Sequence, residues 1–428
     1  MTRAVRLTLL WTAIGVVLVA CVLALAWSAL VPDDAEVMQQ IVAQAEARLG
    51  VEVTVGSARL QLWPQPELVI GDAQTVQPKP IRIKRLVAQA ELLPLLRGRV
   101  EIDELLVEGA VLPQVSLSAL RIRPAPAGAE AGALQVARLT FRDVVWITRF
   151  GNPLEFSGSA LFGPDWQLRE AEMVRPGVRP EARLALTPAG GDRWNVVLQL
   201  GGGSANGQVT LKTGKDGAMA LSGQLAPRNI DIAGALTTFK RHAALHGKAS
   251  GQTTLSASGS NVGELARSLH TRTAFTVTAP TLLRIDIDKA IRSFGKDRAG
   301  QTQLLALSGQ MDTQNTAQGM VVRYTGLQAK GQTFTAKGEG TIANRRIDGE
   351  LTVDLAGGLI GVPLKVSGPL SQPQLSVPTS AIAGATAGAV LGTAVLPGIG
   401  TAIGASVGAA VGKLFGGNDA ASKPVPAR

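Results

Sequence analysis

The chain has one cysteine in 428 residues, one tyrosine, three histidines and only 4% aromatic residues. Each shortage removes a class of function. Cys21 alone can form no disulfide within the chain, and it sits inside an uncharged apolar run where a thiol nucleophile has no use. Of the histidines, His242 and His246 are four apart in a segment, 228–248, whose spacing predicts a helix, and so would share a face. Lys240, Arg241 and Lys248 surround them and repel a cation, so they read as solvent-exposed helix positions rather than metal ligands. His270 follows the end of a second predicted helix, 261–269, where a dipole contact is enough to explain it. No G-x-S-x-G elbow exists for a serine triad. Asp286 and Asp288 alternate with Ile285 and Ile287, as the solvent face of an amphipathic strand would. "LGGGSANG" (200–207) lacks the Lys-Ser/Thr of a phosphate loop and reads as a turn. The expectation is a protein that is not an enzyme and takes no cofactor and no metal.

Sparse aromatics also argue against nucleic acid. Lys and Arg exceed Asp and Glu by 42 to 32, a net charge of +10, but the charges are scattered and lack stacking partners. The excess suits anionic headgroups or merely a soluble surface. Arg82, Lys84, Arg85, Arg97 and Arg99 form one such group, and solvated strand faces are their better reading.

What the chain does have is two long uncharged segments. Residues 7–31, "LTLLWTAIGVVLVACVLALAWSALV", are long enough for a bilayer core of ~30 Å, which needs about 20 helical residues. Arg3 and Arg6 precede this run and Asp33 and Asp34 follow it, so the first six residues stay in the cytoplasm and the rest faces outward. Trp11 and Trp27 lie near its two ends, as interfacial anchors do. "LVAC" (18–21) reads alternatively as a lipobox that would make Cys21 a lipidated N-terminus, though the sequence stays apolar after it. Either reading places the bulk outside the cytoplasmic membrane.

The second uncharged segment, 379–412, carries glycine every four residues. Gly384, Gly388 and Gly392 form one arm; Gly400, Gly404, Gly408, Gly412 and Gly416 form the other, with Pro397-Gly398 as the turn. Glycines four apart lie along one helical stripe and let two helices approach by backbone contact. The expectation over 379–416 is a helical hairpin resting on or in a bilayer, a possible second membrane contact, followed by a flexible tail, 417–428.

Between these segments the period changes. Residues 32–50 have helical spacing and end at Gly50. From Val51 onward, short runs such as "IRIKRL", "WNVVLQL", "AMALSGQL", "TLLRIDID" and "MVVRYTGLQA" alternate apolar and polar residues between turn signals. The fold class expected is mainly β: a transmembrane helix, an elongated antiparallel meander forming a curled groove with a few short helices, and a glycine-rich hairpin. About 25 strands at ~4.8 Å each would span on the order of 120 Å, too long for an open flat sheet with one greasy face in water. Residues 51–227 and 228–378 make two β parts, with a linker near 123–133 in the first, where Pro, Ala and Gly crowd together.

Three segments carry a family likeness. "ARLGVEVTVGSARLQLWPQPELVIGDAQTV" (47–76) leads into "KPIRIKRLVAQAELLPLLRGRVEIDELLVEGA" (79–110), with Pro64, Pro66, Pro94, Leu95, Leu96, Gly98, Ile102 and Gly109 in order. "GVPLKVSGPLSQPQLSV" (361–377), and the stretch 249–355 with "GELARSL" and "GEGTIANRRIDGELTVDL", complete the set. In their order and spacing these resemble the AsmA-like family of envelope proteins; the glycine ladder is not part of that pattern. The resemblance implies an inner-membrane protein with a periplasmic β-groove related to bridge-like lipid-transfer architecture. Its partners would be membrane lipids, phospholipid first. Acyl chains would enter the apolar face while no bond is made or broken. An envelope scaffold or outer-membrane-protein assembly factor without lipid cargo is the alternative, and neither reading names groove residues or a protein partner.

Overall fold

The computed structural model describes residues 34–376 except 62–64, 92–99, 118–133, 149–150, 164–167, 215–217, 261, 294–296, 317–318 and 356–361. The run 7–31 with Trp11 and Trp27, the linker 123–133, the glycine ladder with Pro397 and Gly398, and the tail all lie outside the described residues. Among the described residues no helix is long and apolar enough to cross a membrane.

The described chain is mainly β. One mixed sheet of 22 strands runs through it and is not closed. Two compact units divide the chain. The first takes the described residues up to Ala226 with Gly234–Arg241 and Ser256–Ser268. The second takes Pro227–Ala233, His242–Leu255 and the described residues from Leu269 on.

The first unit opens with helix α1 (Asp34–Leu49). It stops at Gly50, whose φ of +68° no bulky residue tolerates and whose N–H donates to Glu46 O at 2.9 Å. Ile41 enters a core with Ala58 of β2 (Ser57–Gln61), Leu68 and Ile70 of β3 (Glu67–Thr75), and Leu86 of β4 (Arg82–Ala90). Ile102, Leu105 and Val107 of β5 (Val100–Pro113), Leu139 of β6 (Leu134–Ile147) and Ala160 of β7 (Pro153–Phe162) continue it. Ile41 is only 2% exposed, so Ile41→Ala is expected to cost about 3 kcal/mol through lost burial and the cavity left behind. Thermal unfolding of the variant checks it; a change under about 1 kcal/mol means that α1 packs loosely.

Pairing in this unit departs from the expected antiparallel meander at one place. β5 and β6 run parallel, in register from Val100↔Leu134 to Pro113↔Ile147. Parallel neighbours need a crossover of a dozen or more residues, and residues 114–133, which begin with helix α2 (Gln114–Leu117), supply it. Alternation along a strand is the same for parallel and antiparallel neighbours, so the pattern could not reveal the direction.

Next come β8 (Leu168–Arg175), β9 (Ala182–Pro188), β10 (Arg193–Leu200), β11 (Gly203–Thr213) and β12 (Met219–Arg228). Of the glycine-rich 200–207, only Gly201 and Gly202 form the expected turn: with φ of +55° and +70° they make a two-residue hairpin loop between Leu200 and Gly203, and 203–207 belong to β11.

The helix expected over 228–248 is far shorter, α3 (Ile232–Thr238). Lys240 takes a φ of +54°, and from Leu245 the alternation of β14 (Leu245–Gly259) takes over. His242 thus lies in a connection and His246 on a strand, both exposed and not on one helix face.

The second unit holds β15 (His270–Leu283), β17 (Ala306–Thr316), β18 (Gly319–Lys330), β19 (Phe334–Ala343), β20 (Arg346–Leu355) and β21 (Val362–Pro369). The expected strand through "TLLRIDID" breaks at Arg284, with φ of +66°, and becomes α5 (Ile287–Arg292) after it. Asp286 caps α5 by accepting the Lys289 N–H at 2.9 Å, and Asp288 accepts the Thr333 hydroxyl at 2.9 Å, so neither carboxylate lies on a strand face. Ile287 and Ala290 pack against Leu304, Phe334, Ala336, Val353 and Leu364 in this unit's core.

Candidate functional site

In the first unit the apolar face extends beyond the core that Ile41 of α1 joins. Strand register aligns it in two rows. One runs Leu139–Ala160–Ala171–Leu186–Val196–Gly207 across β6 to β11. The other runs Phe141–Gly158–Met173–Leu184–Leu198–Ala205. The rows begin in the core, but Leu184, Leu186 and Leu198 belong to none of the packed cores and stay half-buried. Between them the opposite face carries Thr187, Arg183 and Gln199, all exposed.

Glycines recur along this face where bulk would collide. A Cβ on Gly207 would lie 1.9 Å from Gln224 O, and one on Gly158 would lie 2.1 Å from Glu172 O and 2.7 Å from Phe141 Cζ. The neighbouring strand passes so close there that no side chain fits, the situation that admits glycine inside a strand. Within the second unit, Gly251 repeats it, 2.1 Å from Ala274 O, and Gly309 stands opposite Phe275. Phe275 in turn meets Tyr324 edge-on, with ring centroids 6.3 Å apart at 87°. Burial pushes the Tyr324 phenol above its ordinary pKa, as expected of an aromatic that lines an apolar face.

A charge interrupts the apolar face of the first unit. Arg175, last residue of β8, is in phase with Ala171 and Met173 and opposite Ala182. It is 7% exposed, and neither Nε nor Nη1 has a hydrogen-bond partner among the described residues. Its guanidinium lies 5.2 Å from the centre of the Phe156 ring. Burial lowers its pKa and the Glu155 carboxylate acts the other way, yet a guanidinium remains charged under any ordinary condition.

The residues singled out for chemistry are dispersed. His270 begins β15, and its Nε2 lies 2.8 Å from Asp312 Oδ2, which Arg272 Nε also approaches at 3.5 Å. Arg82, Lys84 and Arg85 are exposed on β4, and Arg85 pairs across the strands with Glu108 at 3.4 Å, as a solvated face does. Among the described residues no group of three or more His, Cys, Asp or Glu is placed to hold a metal ion. What the arrangement can do is hold apolar groups by contact.

Sequence reasoning missed the strand glycines and Arg175. A signal for the first was present: Ser222-Gly223-Gln224, Ser250-Gly251-Gln252 and Ser308-Gly309-Gln310 repeat one triplet in three strands, and Asn206-Gly207-Gln208 differs from it only in its first residue. Arg175 was visible only as a charge in phase with Ala171 and Met173. Compared with protein-family models, with curated proteins and with solved structures, the chain matches none.

Proposed function

We propose that this chain is a non-enzymatic lipid-handling protein of a bacterial envelope, anchored in the inner membrane by residues 7–31 with its bulk in the periplasm. On this reading it shields phospholipid acyl chains on the apolar sheet face, serving transport toward the outer membrane or its homeostasis. The observation that carries the reading is the pair of apolar rows that leave the first unit's core and continue over β9 and β10 as half-buried leucines. A sheet face of that composition is normally filled by a second layer of the same chain. The AsmA-like order of segments in 47–110, 249–355 and 361–377 supports the same reading, as does the outward orientation predicted for the anchor. The hairpin proposed for 379–416 would add a membrane contact.

Photocrosslinking in cells tests it. With p-benzoylphenylalanine in place of Leu198 or Leu186, adducts to phosphate-labelled phospholipid are expected; in place of Gln199 or Thr187, on the opposite face, they are not. Crosslinks from the leucine positions to protein alone would replace the lipid reading with the scaffold.

A further inference from the structure

Arg175 is unexplained by a purely apolar face. It lies next to the two aligned rows, two residues after Met173 and opposite Ala182; it ends its strand, and the turn 176–181 follows it. A buried cation with two nitrogens lacking hydrogen-bond partners is a costly arrangement, because those donors have lost water and the Phe156 ring returns only part of the loss. Neutralisation by proton loss is closed to a guanidinium. Glu155 does not fill the gap: it neighbours Phe156 in sequence and so projects from the other side of β7, and no ion pair joins it to Arg175.

The geometry points to Arg175 as an anchor for a phosphate group, set at the rim of the apolar face so that an amphiphile lying on that face presents its phosphate to the guanidinium. The guanidinium carbon lies over the Phe156 ring, 5.2 Å from its centre, a contact that leaves the N–H hydrogen-bonding capacity unused. Nε and Nη1 have no partner among the described residues, and a guanidinium grips a phosphate with two parallel N–H bonds. Strand β8 places the charge in phase with Met173 and Ala171, so an acyl chain on the rows above would start from it. The amphiphile rests on the lipid reading above; the phosphate site does not.

The test uses the full chain held in amphipol, with three probes: fluorescent phosphatidic acid, diacylglycerol with the same acyl chains and fluorophore, and inorganic phosphate. Wild type is expected to bind phosphatidic acid about tenfold more tightly than diacylglycerol, the gain of one charge-assisted contact. Arg175→Met should bind both at the diacylglycerol level, and its melting temperature should not fall, since it removes an unpaired buried charge. Arg175→Lys, which keeps the charge and loses the fork, should lose most of the tenfold. A preference for phosphatidic acid that survives in both variants overturns the proposal. If neither lipid binds wild type, the lipid reading fails and phosphate decides alone. A rise in melting temperature with phosphate over chloride at equal ionic strength, absent in Arg175→Met, upholds the site; equal shifts in the two proteins overturn it.

Discussion

Gly207→Ala is expected to destabilise the first unit by about 3 kcal/mol, the upper range for forcing bulk into a packed site. The new methyl would sit 1.9 Å from Gln224 O and 2.9 Å from Leu225 Cα. Both are backbone atoms of β12, so no rotamer change relieves the contact and the two strands must part. Gly207 has an ordinary φ, so backbone strain adds nothing to the cost. Gly151 is the control with the opposite balance. Its φ is +81° and nothing lies within 4 Å of its would-be Cβ, so Gly151→Ala meets strain without collision and is expected to cost about 1 kcal/mol. For a unit of this size the first change lowers Tm by roughly 6–12 °C and the second by only a few degrees. Equal shifts in the two variants would mean that β11 and β12 do not approach as closely as the structure has them.

The contrast between those two glycines also shows what could be read in advance. Turn glycines such as Gly201 and Gly202 announce themselves because they are adjacent and separate two alternating runs. Gly207 lies inside a run, and whether such a glycine meets a neighbour's backbone depends on how the next strand bends over it. That is a tertiary property, although the repeated triplet around Gly223, Gly251 and Gly309, with its near copy around Gly207, was a legible hint. Strand existence was equally legible: "WNVVLQL" is β10 and "AMALSGQL" is nearly β12. Helix length near Ile232 was not, because Leu236 and Ala243 continue a plausible helical stripe that the competing alternation from Leu245 cuts short. Apolar residues on the strand faces could be named from alternation. Which of them join a packed core, as Leu86 does with Ile41 of α1, and which do not, as Leu198, is set by tertiary packing.

That difference yields the largest expected effect. Leu86→Asp should remove most of the folded first unit, whereas Leu198→Asp should leave it standing. Leu86 is 1% exposed and packed in the core with Ile41, Leu68 and Val107. A carboxylate there finds no partner and no water, a burden above about 4 kcal/mol against a total stability on the order of 5–15 kcal/mol. Leu198 alternates with exposed Gln199 and is itself half-buried, so its aspartate keeps part of its hydration and costs about 1 kcal/mol. Its effect should fall on binding instead. A charge in the middle of the row Met173–Leu184–Leu198–Ala205 lies where an acyl chain would run, and phospholipid recovered with the full chain should drop several-fold. Tm and retained lipid, measured on the same preparations, separate the two roles: the core variant loses both, the face variant only the lipid. If Leu198→Asp unfolds as Leu86→Asp does, the row is filled by the protein's own packing, and the envelope-scaffold alternative accounts for the face better than a lipid cargo.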